Sequence, residues 1–204
     1  MKRAEHEILR LDERDVPEIV NILCDSFADY PVMRFVIGSA ADYDRKLKIL
    51  MHFFVMARLY RDEVILGIGD RSELDGVALI SNPDLSVNLP ELNDLREQVW
   101  SELGAQARSG YEQFSDACAQ FQVDVPHIHL NMIGIRHSAQ GKGLGRRLIG
   151  QVHLLSMHDS NSRGVTLTTE DPAKVSFYKY LGYRLTGQAR IAPQLETWSF
   201  FRPD

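Results

Sequence analysis

The chain has only two cysteines, Cys24 and Cys118, far apart and in no C-x-x-C arrangement. A disulfide framework and a cysteine-rich metal site are therefore not expected, and a reducing cytoplasm is the simplest setting. Long apolar runs are missing as well. None approaches the ~20 residues needed to cross a bilayer, so no membrane partner is expected. Met1–Arg10 carries basic residues but no apolar core, and does not read as a secretory signal. Positive charge is not in surplus either: 23 Lys and Arg stand against 28 Asp and Glu, a net charge of −5. General nucleic-acid binding wants a basic face, so it is not expected. There is no internal repeat, charge block or low-complexity linker.

What is present suits an ordinary globular fold. The 204 residues, 44% apolar and 25% charged, fit one domain over 1–204 with a real core. His6–Leu11 alternates as a first strand. Asp15 is placed to cap a helix carrying Val16, Ile19, Val20, Leu23 and Phe27 at helical spacing, with Pro17 in its first turn. Asp29-Tyr30-Pro31 breaks that helix, and a second is predicted over Asp44–Arg61. Glu63–Ile68 and Gly76–Ser81 read as a hairpin about Gly69–Ser72. Pro90 opens a helical stretch whose apolar stripe runs from Leu92 to Phe121. Gly104 and Gly110 weaken its middle, so two helices compete with one. This segment, about 90–122, is expected as a helical insert.

The last third carries the chemistry. A strand over His127–Ile135 leads through a polar turn into Gln140-Gly141-Lys142-Gly143-Leu144-Gly145, and then a helix with Leu144, Leu148, Ile149, Val152 and Leu155 on one face. Val165–Glu170 is another strand. A helix runs from Pro172 through Tyr180, and Tyr183–Ile191 and Leu195–Phe200 are closing strands. A strand that runs through glycines into a helix makes an anion site, because the first N–H groups of a helix have no internal acceptors and glycine lets a ligand come close. Lys142 and Arg146 would add charge at the rim. A dinucleotide fingerprint fails on spacing, since Gly145 comes one residue early. A Walker A loop fails because Gly143, not Ser or Thr, follows Lys142.

Gln140–Gly145 resembles the GNAT acetyltransferase signature Gln/Arg-x-x-Gly-x-Gly/Ala, and Phe177-Tyr178-x-x-Leu181-Gly182-Tyr183 resembles that family's second motif. The likeness extends toward the puromycin N-acetyltransferase-like group. It includes His127-Ile128-His129-Leu130 before Ile133-Gly134-Ile135, Pro172 leading to Val175-Ser176-Phe177-Tyr178, Glu196-Thr197-Trp198, and Phe27–Pro31. The resemblance implies an α/β fold with a mostly antiparallel sheet, splayed at the cofactor site and flanked by helices. It also implies acetyl-CoA as co-substrate, an acetyl group moved to a primary amine, and a small-molecule amine as partner. A GNAT-fold sensor that binds acyl-CoA without turnover is the alternative.

By the same resemblance, Gln140, Gly141, Lys142, Gly143, Leu144, Gly145 and Arg146 hold the pyrophosphate. Ile133, Gly134 and Ile135 face the pantetheine arm, and Tyr178 is the acid for the departing thiolate. Thr168 stands where the puromycin-type group has a glutamate. The base is left open among Glu170, two residues on along the same strand face, His129 and bulk water. His127 and His129 lack a third partner of metal-ligand spacing, so no metal is expected. Cys24 and Cys118 read as core thiols. The acceptor is expected to lie against Phe27–Arg34 and parts of Pro90–Gln122. A homodimer is left open.

Overall fold

A computed structural model describes residues 6–39, 41–71, 73–83 and 89–204. Strands β1 (Glu7–Arg10), β2 (Ile65–Asp70), β3 (Glu73–Ser81), β4 (Ile128–Ile135), β5 (Gly164–Thr169), β6 (Arg184–Ala192) and β7 (Leu195–Pro203) form one sheet in the order β1-β2-β3-β4-β5-β7-β6. Every neighbouring pair is antiparallel except β4 with β5. That parallel pair is where the sheet opens. Only Ile128, His129 and Leu130 find partners on β5, at Val165, Thr166 and Leu167. Just beyond, the register of β3 against β4 shifts and leaves Asn131 unmatched. A bulge bends a strand and alters its twist locally, and here it sits where β4 and β5 part.

Helices α1 (Val16–Phe27), α2 (Pro31–Ile37), α3 (Tyr43–Tyr60), α4 (Pro90–Leu103) and α5 (Ala105–Ala119) share one core with Val77, Leu79, Met132 and Leu195 of the sheet. Helices α6 (Leu144–His158) and α7 (Pro172–Tyr180) pack into a second core with Ile68, Leu130, Val165, Leu167 and Phe200. Alternation along the central strands feeds both cores at once, as a sheet covered on two faces requires.

The expected elements are present with shifted ends. The hairpin strands extend to Asp70 and start from Glu73, so its turn is tighter than the four residues Gly69–Ser72 suggested. The helical stretch after Pro90 divides at Gly104, which adopts φ 91°, while Gly110 stays inside α5. Asp15 occupies the capping position of α1 without a side-chain cap bond. Its carboxylate instead accepts from the Asp12 N–H at 3.0 Å, closing a capping box over a preceding 3-10 turn. The short helix α2 had no sequence expectation. Pro31, which ends α1, also supplies its first turn.

Candidate active site

The gap between β4 and β5 is bounded on one side by the turn into α6. Gly141 and Gly143 both adopt φ 76°, a conformation costly for any residue with a Cβ. A Cβ at either would meet nothing within 4 Å, so the backbone faces open space. Gly143 caps α6 with no side-chain bond to its first N–H groups. Those donors and the positive end of a fifteen-residue helix are left for an outside acceptor. Lys142 and Arg146 are exposed beside them, and the Arg146 guanidinium lies 5.8 Å from the centre of the Tyr180 ring. Leu144 contributes backbone only, for its side chain is buried in the second core.

The turn is held from α1. Ser26 Oγ and Gln140 Nε2 both donate to the Ile135 carbonyl at 3.1 Å, so the Gln140 side chain braces the turn itself. The His137 N–H donates to Asp25 Oδ2 at 2.8 Å, and that bond is the main reason the Asp25 carboxyl is held below its usual range. Arg136 pairs with Glu18 of α1 and donates from Nε to the Leu74 carbonyl at 2.9 Å. Gly134 lies directly under α1. A Cβ there would fall 2.8 Å from Ser26 Oγ, so this glycine is explained by helix-to-strand approach. The side chains of Ile133 and Ile135 pack toward the second core.

The other boundary is the end of β5 and the start of α7. Asp171 caps α7 by accepting from the Ala173 N–H at 2.9 Å, and Pro172 follows in the first turn. This places Tyr178 one and a half turns on, 8% exposed, with its ring against Tyr183 and Phe200. Among the described residues its hydroxyl has no hydrogen-bond partner. Burial, and then the nearby Glu170 and Asp171 carboxylates, push this phenol up to about 12, so it keeps its proton at neutral pH.

Glu170 is 5% exposed, and burial pushes its carboxyl up to about 7. Thr197 Oγ1 donates to Glu170 Oε1 at 2.8 Å. The Glu170 N–H donates to the Tyr30 hydroxyl at 3.0 Å, and that hydroxyl lies 3.1 Å from Thr169 Oγ1. Burial first, and then the Glu170 charge, raises the Tyr30 phenol well beyond its ordinary value. Glu170 is thus a buried carboxyl near neutral affinity in electrostatic reach of Tyr178, which is the pattern of an acid–base pair.

His129 is different. It is half-buried, lies 2.9 Å from Thr166 Oγ1, and is pushed down to about 4 by burial. It is neutral at pH 7 but too weak a base to compete with Glu170. Among the described residues no group of His, Cys, Asp or Glu is arranged to hold a metal, and no helix is long and apolar enough to cross a membrane.

Residues 100–185, from the end of α4 through β4, the glycine turn and α7, match the family model described as acetyltransferase (GNAT) domain. That stretch, under half of the chain, is similar to GNAT acetyltransferase domains. Solved structures agree over the full length in fold. A histone acetyltransferase HPA2-related acetyltransferase from Corynebacterium glutamicum is 21% identical with a TM-score of 0.69, over 98% of this chain and 97% of that one. Arylalkylamine N-acetyltransferase 2 from Aedes aegypti is 16% identical with a TM-score of 0.63, over 97% and 98%. A polyamine N-acetyltransferase from Drosophila melanogaster that forms N-acetylagmatine is 16% identical with a TM-score of 0.59, over 97% and 98%. At such identities the shared property is the fold. The family match over 100–185 and this fold together support an acyltransferase enzyme.

The residues expected from sequence at the cofactor site lie together along the β4 end and the GNAT turn, and Tyr178 stands across the gap near Glu170. Sequence reasoning gave no role to Ser26 or Thr197, and it placed Tyr30 only in a segment lining the acceptor. Tyr30 meets Glu170 across 140 positions and Thr197 meets it across 27, and no local pattern announces such contacts.

Proposed function

We propose that the chain moves an acetyl group from acetyl-CoA to the primary amine of a small molecule by direct attack. The observation that carries this reading is that Glu170 and Tyr178 lie buried beside the β4–β5 gap within electrostatic reach of each other, one poised to take a proton and the other to give one. The residues present fit the co-substrate. The backbone at Gly141 and Gly143 faces open space at the uncapped start of α6, as a pyrophosphate requires, and Lys142 and Arg146 add positive charge. From Asn131 to Ile135, β4 has β3 on one edge, paired from Met132 on, but no β5 partner on the other, and that free edge suits an arm that binds as an added strand would. Bound there, acetyl-CoA supplies an activated acyl carbon and a sulfur leaving group.

The chain's own residues would then act as follows. Glu170 takes a proton from the incoming ammonium, whose ordinary pKa of ~10.4 leaves little free amine at neutral pH. As the new C–N bond forms and the C–S bond breaks, Tyr178 donates its phenolic proton to the departing sulfur, and the second proton shed by the nitrogen as it becomes an amide restores the phenol. A backbone N–H near Ile133–Ile135 polarises the acyl oxygen and helps most as negative charge develops on it. Agmatine and arylalkylamines, named for the neighbours, make small amines the first acceptors to try. The puromycin-type sequence features point the same way. Both cysteines are free, in keeping with a cytoplasmic setting.

The test is thiol release from acetyl-CoA across a panel including agmatine, tyramine and spermidine, with CoA binding measured by calorimetry. Release with at least one amine, on an acidic limb near pH 7, is expected. Binding with no release on any amine would favour a non-catalytic acyl-CoA sensor and overturn the proposal.

A further inference from the structure

We infer that Thr197 of β7 is a positioning residue for the Glu170 carboxyl, and that Cys118 of α5 extends this into a donor chain running from the helical insert to the base. The inference rests on Glu170 being the base in the proposed function, but its geometry stands alone. Thr197 is 0% exposed. A valine would fill that place with the same shape, and a buried hydroxyl is costly unless it is paired. It is paired with Glu170 Oε1 at 2.8 Å.

A threonine hydroxyl has one hydrogen. With that hydrogen on Glu170, the 3.8 Å contact between Cys118 Sγ and Thr197 Oγ1 leaves the thiol as donor. The order is then Cys118 S–H to Thr197 O–H to the Glu170 carboxylate. The strand register supports it, because Thr168 opposes Ser199, so the next same-face pair along is Glu170 with Thr197.

Other groups face this carboxyl. Tyr30 approaches from the junction of α1 and α2, but its hydroxyl also accepts the Glu170 N–H and touches Thr169, so its hydrogen is shared. Tyr178 approaches from α7, and Asp171 acts on Tyr178 from the start of the same helix. The Cys118 thiol is held up at about 11 by burial and remains a neutral donor throughout the working range. Thr197 is the donor with a direct hydrogen bond to Glu170 Oε1, ahead of Tyr30 in its effect on the carboxyl. It favours the ionised form and fixes the direction in which the free lone pairs point.

The test is a carbon NMR titration of the full chain labelled at its glutamate carboxyl carbons, with Glu170 assigned by the signal lost in Glu170→Gln. Removing the donor in Thr197→Val should raise the Glu170 midpoint by about one pH unit. Thr197→Ser should restore it. Cys118→Ala should raise it by roughly 0.1–0.3 unit, as expected for one weakened link in a hydrogen-bond chain. The acidic limb of kcat/KM for acetylation of tyramine or agmatine should move with the midpoint, whereas a merely structural role would lower the rate equally at every pH.

A Glu170 midpoint unmoved in Thr197→Val would overturn the inference. If that variant does not fold, Thr197→Ala is read by the same signal. Full turnover in Glu170→Gln would instead remove Glu170 as base while leaving the hydrogen-bond result in place, so the two failures are told apart.

Discussion

The two sides of the β4–β5 gap solve opposite problems. At the start of α6 the working groups are backbone amides, exposed, uncapped and shaped by two glycines at φ 76°. At the end of β5 they are side chains, with Glu170, Thr197 and Tyr178 almost wholly removed from water and Tyr30 half-buried beside them. An exposed backbone cradle can grip a charged group without distorting any side chain's proton affinity. A buried cluster does the reverse, moving Glu170 up to about 7 and Tyr178 up to about 12. Under the proposed function, binding and proton transfer fall to different physical environments, and changes on one side should leave the other intact.

The largest expected effect concerns stability on the buried side. The native Glu170 carboxyl holds its proton more tightly than the ordinary value of 4.5. Its contribution is therefore fully present below about pH 4.5 and is lost as pH rises through about 7, a cost of roughly 3 kcal/mol. Glu170→Gln should melt higher than the parent at pH 8, and the advantage should vanish below pH 5 in a melting series. Tyr178→Phe keeps the ring contacts and removes only the proton donor. Turnover should fall about tenfold or more with CoA affinity unchanged by calorimetry. Equal turnover with chemistry rate-limiting would break the assignment.

On the exposed side the order reverses, with binding affected and chemistry spared. Gly143→Ala forces a side chain into a left-handed conformation costing about 1–2 kcal/mol, so CoA should bind roughly tenfold more weakly. Gly150→Ala, on the exposed face of the same helix, should not weaken it. The smallest effect is Lys142→Ala, about two- to threefold in CoA affinity at low salt and undetectable at 1 M salt, where the screening length is about 3 Å. A change in the pH profile of either variant would mean that the two sides are coupled after all.

The exposed side was legible in the sequence because its physics is local. A strand, a run of glycines and an apolar helical stripe follow one another within Ile128–His158, and each leaves a periodic or compositional mark. Tyr178 was legible for the same reason, through its neighbours Phe177 and Gly182. The partners of Glu170 were not. Thr197 looks like any strand threonine, and Tyr30 like the end of a broken helix, until the sheet order brings β7 beside β5. The splay itself was expected only through family resemblance, because the shift that leaves Asn131 unmatched has no glycine or proline at that position to betray it. Helix α2 was missed because Pro31 was read as a stop, when the same ring also pre-forms a first turn.

Helix α1 gives the molecule a common frame. It grips the approach to the glycine turn through Glu18, Asp25 and Ser26, and the residues just past its end place Tyr30 against Glu170. A single rigid rod therefore sets the distance between the anion cradle and the proton-handling cluster. A shift of that rod would displace both together, so donor and acceptor keep their mutual alignment even when the surrounding loops rearrange.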